Sequence, residues 1–493
     1  MLKKAQRPKE NTDYKAIAKE LQEKLSGLQL KMKEKKLPVI VVFEGWGASG
    51  KGTLIANTIK LLDPRFFKVT STLPATQQER RYPMLKRYFE GIPEYGKLSI
   101  MDRSWYRELA AALIEEGISK KEYSRRIDSV NTFERQLIDD GYLIIKIFLH
   151  ISKEEQKKRY DKLAKNEATS WRVTDKDIKQ NKHYDEYYEW FDNMLSRTDL
   201  FAPWNIIDAK DKQFAKCRLF EILIDNITRA CEEEREYPME RENDSVFDIV
   251  PMPLLSQVSL DDKFVDDEEY SERLKRAQKE LARLHGMIYK LKIPVIAAFE
   301  GWDAAGKGGA IKRVGSALDP RGFEAVPVAA PDAREKNRHY LWRFWTRLPK
   351  DGHITIFDRT WYGRVMVERL EKFTPEERCA MAYREINEFE KELTDSGMIV
   401  LKFWIQIDKD EQLKRFNDRM NTPEKRWKIT DEDWRNREKW DLYEAAVDEM
   451  IQKTSTKNAP WIIVEGNDKK YARLKVLETL TARLKEEVKK RGQ

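Results

Sequence analysis

The sequence is poor in cysteine and has no long uninterrupted hydrophobic run. Its three cysteines, Cys217, Cys231 and Cys379, are too few and too scattered for a disulfide framework or a zinc-ligand pattern. The longest apolar runs, such as VIVVF at 39–43, are much shorter than the roughly 20 residues that span a bilayer. The N-terminal residues also lack the apolar core of a signal peptide. We therefore expect a reduced, cytoplasmic protein without a membrane partner.

A strong imbalance of charge is also missing. Lysine and arginine number 93 against 85 aspartates and glutamates, a net charge of +8, which permits a polyanionic ligand without requiring one. Hydrophobic residues make up 41%, enough to bury a core, so wholesale disorder is not expected. At 493 residues the chain exceeds the usual size of one domain, and we expect two.

The two halves of the chain repeat each other. FEGWGASGKG begins at Phe43 and FEGWDAAGKG begins at Phe299, an offset of 256 residues (299 − 43). MDRSWY and FDRTWY keep this offset and place Asp102 opposite Asp358. A register that is held over this length indicates a tandem duplication.

The segment between the repeats has the composition of a linker. It carries Pro251, Pro253 and an acidic stretch from Asp261 to Glu269, a composition typical of a linker. We therefore predict a first domain at 1–245, a linker at 246–269 and a second domain at 270–493.

Within each repeat, short apolar runs alternate with charged segments that are long enough for helices. In the second repeat a charged amphipathic stretch at about 271–292 predicts a helix, and IPVIAAFEG predicts a buried strand that ends in a glycine turn. FEAVPVAA, HITIFDR, MIVLKFWIQI and PWIIVEG predict further strands. This alternation predicts an α/β fold in which helices cover both faces of a parallel sheet.

The glycine-rich segment at 301–309 follows a predicted strand and precedes a predicted helix, which is the setting of a phosphate-binding loop. Gly301, Gly306 and Gly308 let the backbone turn its N–H groups toward phosphate oxygens at the positive end of the helix. Lys307 adds a full positive charge there. A glycine-rich turn without a ligand is the alternative.

One position departs from the usual phosphate-binding loop. The serine or threonine that commonly follows the lysine and holds magnesium is Gly308 here and Gly52 in the first repeat. Another group must then hold the metal. Asp303, inside the loop, is the candidate, because a carboxylate beside bound phosphates requires a cation between them.

A second acidic residue lies where another predicted strand ends. Asp358 closes HITIFD, at the carboxyl edge of the sheet where ligands of α/β folds bind, so a second magnesium-binding role is predicted. A cap of the following helix is the alternative. Arg359 and Arg364 follow it, and guanidinium groups clamp phosphate oxygens, with a structural salt bridge as the alternative for each.

A basic segment with a central proline predicts a helical lid. LKRFNDRMNTPEKRWK at 413–428 carries six basic and two acidic residues. Closure of this segment would bring Arg415, Arg419 and Arg426 to the phosphates and exclude water. A solvated helix face is the alternative.

Together, FEGWDAAGKGG, FDRTWYGR and RMNTPEKRWKIT resemble the polyphosphate kinase 2 family, and the resemblance covers nearly the whole chain. It implies two tandem P-loop kinase-like domains of the thymidylate-kinase type, which use inorganic polyphosphate to phosphorylate nucleotides. Members with two fused domains resemble polyphosphate:AMP phosphotransferases, which make ADP. The resemblance assigns magnesium, with manganese as a substitute, to Asp303 and Asp358, and phosphate contacts to Lys307, Arg359 and Arg364.

The first repeat departs from this pattern. Glycine, glutamate, leucine and serine at 47, 108, 163 and 170 stand where the second repeat has Asp303, Arg364, Arg419 and Arg426. It retains Lys51, Asp102 and Arg103. Such a site should stabilise transition-state charge poorly. We therefore expect the second repeat to catalyse and the first to be weak or inactive, with a structural role or a role in holding polyphosphate.

Formation of ADP from AMP and polyphosphate is therefore the predicted activity. The alternatives are a polyphosphate-dependent kinase of ADP or other nucleoside diphosphates, an ATP-dependent nucleotide kinase of the same fold, and a polyanion binder without activity. No nucleic-acid partner is expected. Oligomeric state, including a homo-oligomer, stays open, as do base preference and physiological direction.

Overall fold

The computed structural model of the chain describes residues 1–9, 12–114, 117–233 and 247–492. They belong to two structural units. The first comprises Met1–Thr76, Met84–Glu236 and Asp332–His339, and the second comprises Gln77–Pro83, Tyr237–Pro331 and Tyr340–Gln493. The domain limits given above stay a prediction, because the predicted boundary at residue 245 lies outside the described residues.

Each unit contains one five-stranded sheet whose strands all run parallel. The strands of the first unit are β1 (Val39–Gly45), β2 (Phe67–Ser71), β3 (Leu98–Asp102), β4 (Leu143–His150) and β5 (Trp204–Asp208). Those of the second unit are β6 (Val295–Gly301), β7 (Phe323–Pro327), β8 (Ile354–Asp358), β9 (Ile399–Gln406) and β10 (Trp461–Glu465). Both sheets have the same order, β2-β3-β1-β4-β5 and β7-β8-β6-β9-β10. The predicted strands and the parallel α/β fold are confirmed.

Helices separate the strands along the chain. The α-helices up to residue 233 are α1 (Tyr14–Glu34), α2 (Lys51–Ile59), α3 (Lys86–Glu90), α4 (Trp105–Ile114), α5 (Lys120–Asp139), α6 (Lys153–Ala164), α7 (Glu167–Ser170), α8 (Asp175–Lys182), α9 (Tyr184–Arg197) and α10 (Lys212–Glu232). Those after residue 247 are α11 (Asp267–Lys290), α12 (Lys307–Gly315), α13 (Ala333–Lys336), α14 (Trp342–Trp345), α15 (Val367–Leu370), α16 (Glu376–Asp395), α17 (Lys409–Asn421), α18 (Asp431–Glu438), α19 (Trp440–Thr454) and α20 (Lys469–Arg491). Short 3₁₀ helices occupy Leu2–Lys4, Glu79–Arg81, Leu255–Gln257, Trp361–Arg364 and Pro423–Lys428.

The sequence explains why these elements form. The first five residues of β6 are apolar and fully buried, which suits a strand with sheet neighbours on both sides. Helix α11 begins four residues earlier than the predicted helix because Asp266 caps it, accepting a hydrogen bond from the N–H of Glu269. The first turn of α11 contains three acidic residues, whose negative charges interact favourably with the positive end of the helix dipole.

The described part of the predicted linker packs on the second unit. The N–H of Leu255 donates to Oδ1 of Asp448 at 2.8 Å, and Nε2 of Gln452 donates to the carbonyl oxygen of Met252 at 2.7 Å. The side chains of Leu255 and Val265 are buried. Hydrogen bonds therefore hold this segment against α19, and two of its apolar side chains are buried.

None of the helices in the described ranges is long and apolar enough to cross a membrane. All three cysteines are buried free thiols.

Candidate active site

The phosphate-binding loop follows β6 and leads into α12. Gly306 has a φ of +114° and Gly301 a φ of +150°, which favour glycine at both positions. A Cβ at Gly301 would also lie 2.6 Å from the carbonyl oxygen of Ile405. Trp302 anchors the loop by stacking on Trp440, with ring centroids 3.7 Å apart. The loop is thus held against β9 and α19.

Lys307 begins α12 and turns its ammonium group back toward the loop. It donates hydrogen bonds to the carbonyl oxygens of Gly301 and Trp302, the latter at 3.2 Å. A Cβ at Gly308 would meet no atom within 4 Å, so the surface beside the first turn of α12 is open. A helix N-terminus with a lysine at its first residue is suited to bind phosphate.

Asp303 lies within this loop, and its side chain is 17% exposed. Its Oδ1 lies 3.4 Å from Nη2 of Arg359, and its Oδ2 accepts a hydrogen bond of 3.0 Å from Nδ2 of Asn436. A guanidinium group and an amide therefore fix the orientation of the carboxylate. Sequence analysis did not single out Asn436.

Asp358 lies at the same edge of the sheet as the loop. It ends β8, and its Cα is opposite that of Phe299 in β6. The next residue, Arg359, has a φ of +65°, a left-handed conformation that is uncommon outside glycine and frequent at functional sites. The N–H of Arg359 donates to the carbonyl oxygen of Phe299 at 3.0 Å, which helps to hold this turn.

Glu300 fixes the other side of the turn, and sequence analysis missed it. One carboxylate oxygen of Glu300 accepts hydrogen bonds from the N–H and the hydroxyl of Thr360, at 2.7 and 2.8 Å. Burial raises the pKa of Glu300, against the lowering influence of the charge on Lys307. A glutamate within the buried strand VIAAFEG was the available signal, because a buried carboxylate needs partners.

A buried ion pair lies behind the same turn. Nζ of Lys402 is 2.7 Å from Oε2 of Glu390, and both side chains are 0% exposed. Glu390 also accepts hydrogen bonds from Nε1 of Trp361 at 3.0 Å and from the hydroxyl of Tyr362 at 2.7 Å. The first unit has an equivalent pair at 146 and 134, 2.8 Å apart. A lysine inside the apolar strand IVLKFW was the sequence signal for this support.

Asp303 and Asp358 have the chemistry that magnesium requires. Magnesium prefers oxygen ligands and is commonly held by one or two carboxylates together with substrate phosphates. The described residues contain no group of three or more His, Cys, Asp or Glu that could hold a metal ion. Substrate oxygens and water would therefore complete any magnesium site here, and the metal-binding roles stay a prediction.

Arg415 corrects the expectation that the whole basic segment forms a lid. Its side chain is 3% exposed, and its Nε donates to Glu411 at 2.6 Å. The other guanidinium nitrogens donate, at 2.6 to 3.0 Å, to the carbonyl oxygens of Ala304, Ala305, Gly466 and Asn467. All five N–H donors of the guanidinium are thereby used. Arg415 braces the phosphate-binding loop and has no donor left for a phosphate.

Arg364 is engaged by neighbouring side chains. It hydrogen-bonds to the hydroxyl of Thr374 and lies 3.0 Å from a carboxylate oxygen of Glu368. Its guanidinium also lies 4.3 Å from the ring centre of Tyr340. The salt-bridge alternative is therefore realised at this position, and a phosphate contact from Arg364 stays a prediction.

The remaining basic residues of the predicted lid lie beyond Arg415. Arg419 is in the last turn of α17. Arg426 is in the 3₁₀ helix Pro423–Lys428 and donates from Nε to the carbonyl oxygen of Met420 at 2.8 Å. Their phosphate-binding roles also stay a prediction.

In the equivalent loop of the first unit, the side chain of Tyr160 occupies the space beside Gly47. A Cβ at Gly47, the position of Asp303, would lie 1.9 Å from the hydroxyl oxygen of Tyr160. That hydroxyl donates to Oδ1 of Asp177 at 3.2 Å, and the N–H of Gly47 donates to Oε1 of Gln180 at 2.9 Å. A phenol thus occupies the space that a side chain at position 47 would need.

The first unit otherwise retains the phosphate-binding geometry. Arg103, next to Asp102, has the same φ of +65° as its counterpart in the second unit. Lys51 donates to the carbonyl oxygens of Gly45 and Trp46, both at 3.0 Å. Burial, together with the charge of Arg103, lowers the pKa of Lys51 to about 8. The first unit therefore keeps a lysine and a strained arginine turn but no carboxylate in the loop.

Comparison with known proteins gives consistent matches. A family model described as Polyphosphate kinase 2 (PPK2) matches residues 8–235 and 264–492. The polyphosphate:AMP phosphotransferase of Pseudomonas aeruginosa is 39% identical over 483 residues, 97% of each chain. That of Acinetobacter johnsonii is 35% identical over 449 residues, 91% of each chain. A crystal structure from Pseudomonas aeruginosa, described as a polyphosphate kinase 2, is similar with a TM-score of 0.86 at 37% identity, and the match covers 99% of this chain and 100% of that one.

Proposed function

The chain belongs to the polyphosphate kinase 2 family, and from this premise we propose that it transfers the terminal phosphate of inorganic polyphosphate to AMP and releases ADP. The observation that carries the proposal is the match, over 97% of each chain, to a relative named polyphosphate:AMP phosphotransferase. The match includes both repeats. The carboxylate in the second phosphate-binding loop supports the proposal. Asp303 can bind the magnesium that a serine or threonine at the position of Gly308 would otherwise hold.

The reaction is an in-line displacement. An oxygen of the AMP phosphate attacks the terminal phosphorus of polyphosphate, and the bond to the bridging oxygen breaks. The shortened polyphosphate leaves with the electron pair. The attacking oxygen is already anionic, so positioning and neutralisation of charge supply most of the rate, without a strong general base.

The residues of the second unit divide this work. Lys307 and the N–H groups at the start of α12 bind the terminal phosphates of the donor. Arg359, whose guanidinium is 3.4 Å from Asp303, neutralises charge between donor and acceptor. Arg415 keeps the loop in shape through its bonds to the carbonyl oxygens. Magnesium on Asp303 and Asp358 would supply further positive charge to the phosphate oxygens.

The first unit is assigned a structural role. The Tyr160 hydroxyl occupies the space beside Gly47, where a loop carboxylate would have to lie. Without this carboxylate, the first site lacks a group that the second offers for metal binding and for orientation of Arg359. We therefore assign turnover to the second unit.

The experiment is chromatographic. Purified protein is incubated with polyphosphate and magnesium, AMP or ADP is offered separately, and the nucleotides are resolved. ADP from AMP, absent when polyphosphate is omitted, is the expected result. ATP from ADP with nothing from AMP would move the substrate to nucleoside diphosphates. Product only when ATP replaces polyphosphate would identify an ATP-dependent kinase, and binding of polyphosphate without product would identify a binder.

A further inference from the structure

Helix α20, which packs against the phosphate-binding helix α12, has two cations in its first turns. Lys469 and Arg473 lie one turn apart at the start of α20, just after the loop that follows β10. A Cβ at Gly309 would lie 3.4 Å from Nη2 of Arg473. The guanidinium of Arg473 therefore lies against the first turn of α12, where the donor phosphates bind in the proposed reaction.

Neither cation is paired within the described part of the chain. No hydrogen bond or ion pair of the described residues involves the side chain of Lys469 or Arg473, whereas the adjacent Lys470 pairs with Asp267 at 2.8 Å. Burial lowers the pKa of Lys469, and the charges of Arg415 and Arg473 lower it further, while the carboxylates of Glu411 and Asp418 raise it. Two neighbouring cations that no carboxylate of the described residues pairs within hydrogen-bond distance favour the binding of an anion.

The first unit lacks these features although it has the same fold. Its helix α10 has Gln213 and Cys217 at the positions of the two cations, and Thr53 stands at the position of Gly309. The packing of this helix therefore does not require positive charge. Both cations occur only in the second unit, to which turnover is assigned, so a role in the reaction explains them better than a role in folding.

We propose that Lys469 and Arg473 bind phosphate groups of the donor polyphosphate that lie beyond those held by the loop, an inference that rests on the proposed function. A chain that continues past Gly309 meets two further cations, each able to bind a phosphate by charge-assisted hydrogen bonds. A nucleoside triphosphate would place an uncharged sugar and base there. The pair therefore selects a donor that is anionic along its whole length, and so favours long polyphosphate over ATP.

The test removes this charge without touching the loop. Lys469→Gln/Arg473→Gln is compared with Arg483→Gln/Lys489→Gln, which loses the same charge farther along the same helix. Rates of ADP formation are measured with tripolyphosphate and with long-chain polyphosphate. The first variant should raise the KM for long-chain polyphosphate about tenfold, raise that for tripolyphosphate less, and leave kcat and the KM for AMP unchanged. The second should match the unmodified protein.

Two results would overturn the proposal: an unchanged KM for long-chain polyphosphate, or an equal rise in the Arg483→Gln/Lys489→Gln control. A fall in kcat with every donor would also overturn it, because the cations would then act on the loop. Binding of labelled polyphosphate without AMP separates this proposal from the proposed function. If the unmodified protein forms no ADP, the function is wrong, while weaker polyphosphate binding by Lys469→Gln/Arg473→Gln alone would still support the subsite.

Discussion

The tyrosine in the first unit's loop predicts a strong coupling between two substitutions. A Cβ at Gly47 would lie 1.9 Å from the hydroxyl oxygen of Tyr160 and 2.9 Å from a carboxylate oxygen of Asp177. Gly47→Asp therefore overfills the site and brings two carboxylates together. Overpacking of this kind costs about 1–3 kcal/mol, and the repulsion between the carboxylates adds to it.

The second unit indicates how the loss can be reversed. It has Phe416 at the position of Tyr160, together with Asp303 in the loop. Tyr160→Phe removes the clashing hydroxyl, so it should restore most of the stability that Gly47→Asp loses. In a unit of this size a change of about 1 kcal/mol shifts Tm by about 2–4 °C, so Gly47→Asp should lower Tm by about 2–12 °C.

Calorimetry of the unmodified protein, both single variants and the double variant measures this coupling. Tyr123→Phe in the Gly47→Asp background is the matched control, because it removes a buried hydroxyl elsewhere in the same unit. We expect a coupling free energy of at least about 1 kcal/mol for Tyr160 and none for Tyr123. Additive effects of Gly47→Asp and Tyr160→Phe would refute the reasoning.

Three further predictions concern the loops and their supports. Asp303→Asn should lower kcat for ADP formation at least about 100-fold without changing the circular dichroism spectrum, and retained activity would contradict the role of this carboxylate. Arg415→Lys should lower Tm and raise the KM for polyphosphate, because the four carbonyl oxygens lose their planar donor. Arg159→Lys, the equivalent change in the first unit, should lower Tm alone. An effect of Arg159→Lys on the KM would contradict this. Burial lowers the pKa of His150 below 6.5, so the unfolded chain binds a proton that the folded one excludes, and the first unit should lose stability as pH falls below about 6.5. His150→Gln, which introduces the residue found at Gln406, should flatten that dependence in urea unfolding at a series of pH values, and an unchanged slope would contradict it.

The sequence predicts the fold because its repeat and its apolar runs are local signals. The run that becomes β6 is buried on both faces, and the glycines after it have the conformations that the loop requires. The supports of the site carry weaker signals. Glu300 and Lys402 are visible as charges inside apolar strands, but their partners lie 60 and 12 residues away and emerge only when the chain folds.

Arg415 shows why charge pattern alone misplaces a side chain. It lies in the same basic segment as Arg419, and sequence spacing gives both the same role. In the structure α17 directs Arg415 toward the loop, where backbone carbonyl oxygens use all its donors. The carbonyl oxygens that bind it come from two loops distant in sequence, which no local pattern reveals. The contact between Tyr160 and Gly47 could not be predicted from the sequence for the same reason, because the two residues are 113 positions apart (160 − 47).

The most direct test of the account is to inactivate each phosphate-binding loop separately. Lys307→Met and Lys51→Met make the same change in the second and first units, and ADP formation from polyphosphate and AMP is measured for both, with unfolding midpoints to verify folding. We expect Lys307→Met to abolish ADP formation and Lys51→Met to leave most of it. Loss of activity in folded Lys51→Met protein, with activity retained in Lys307→Met, would contradict the assignment of catalysis to the second unit.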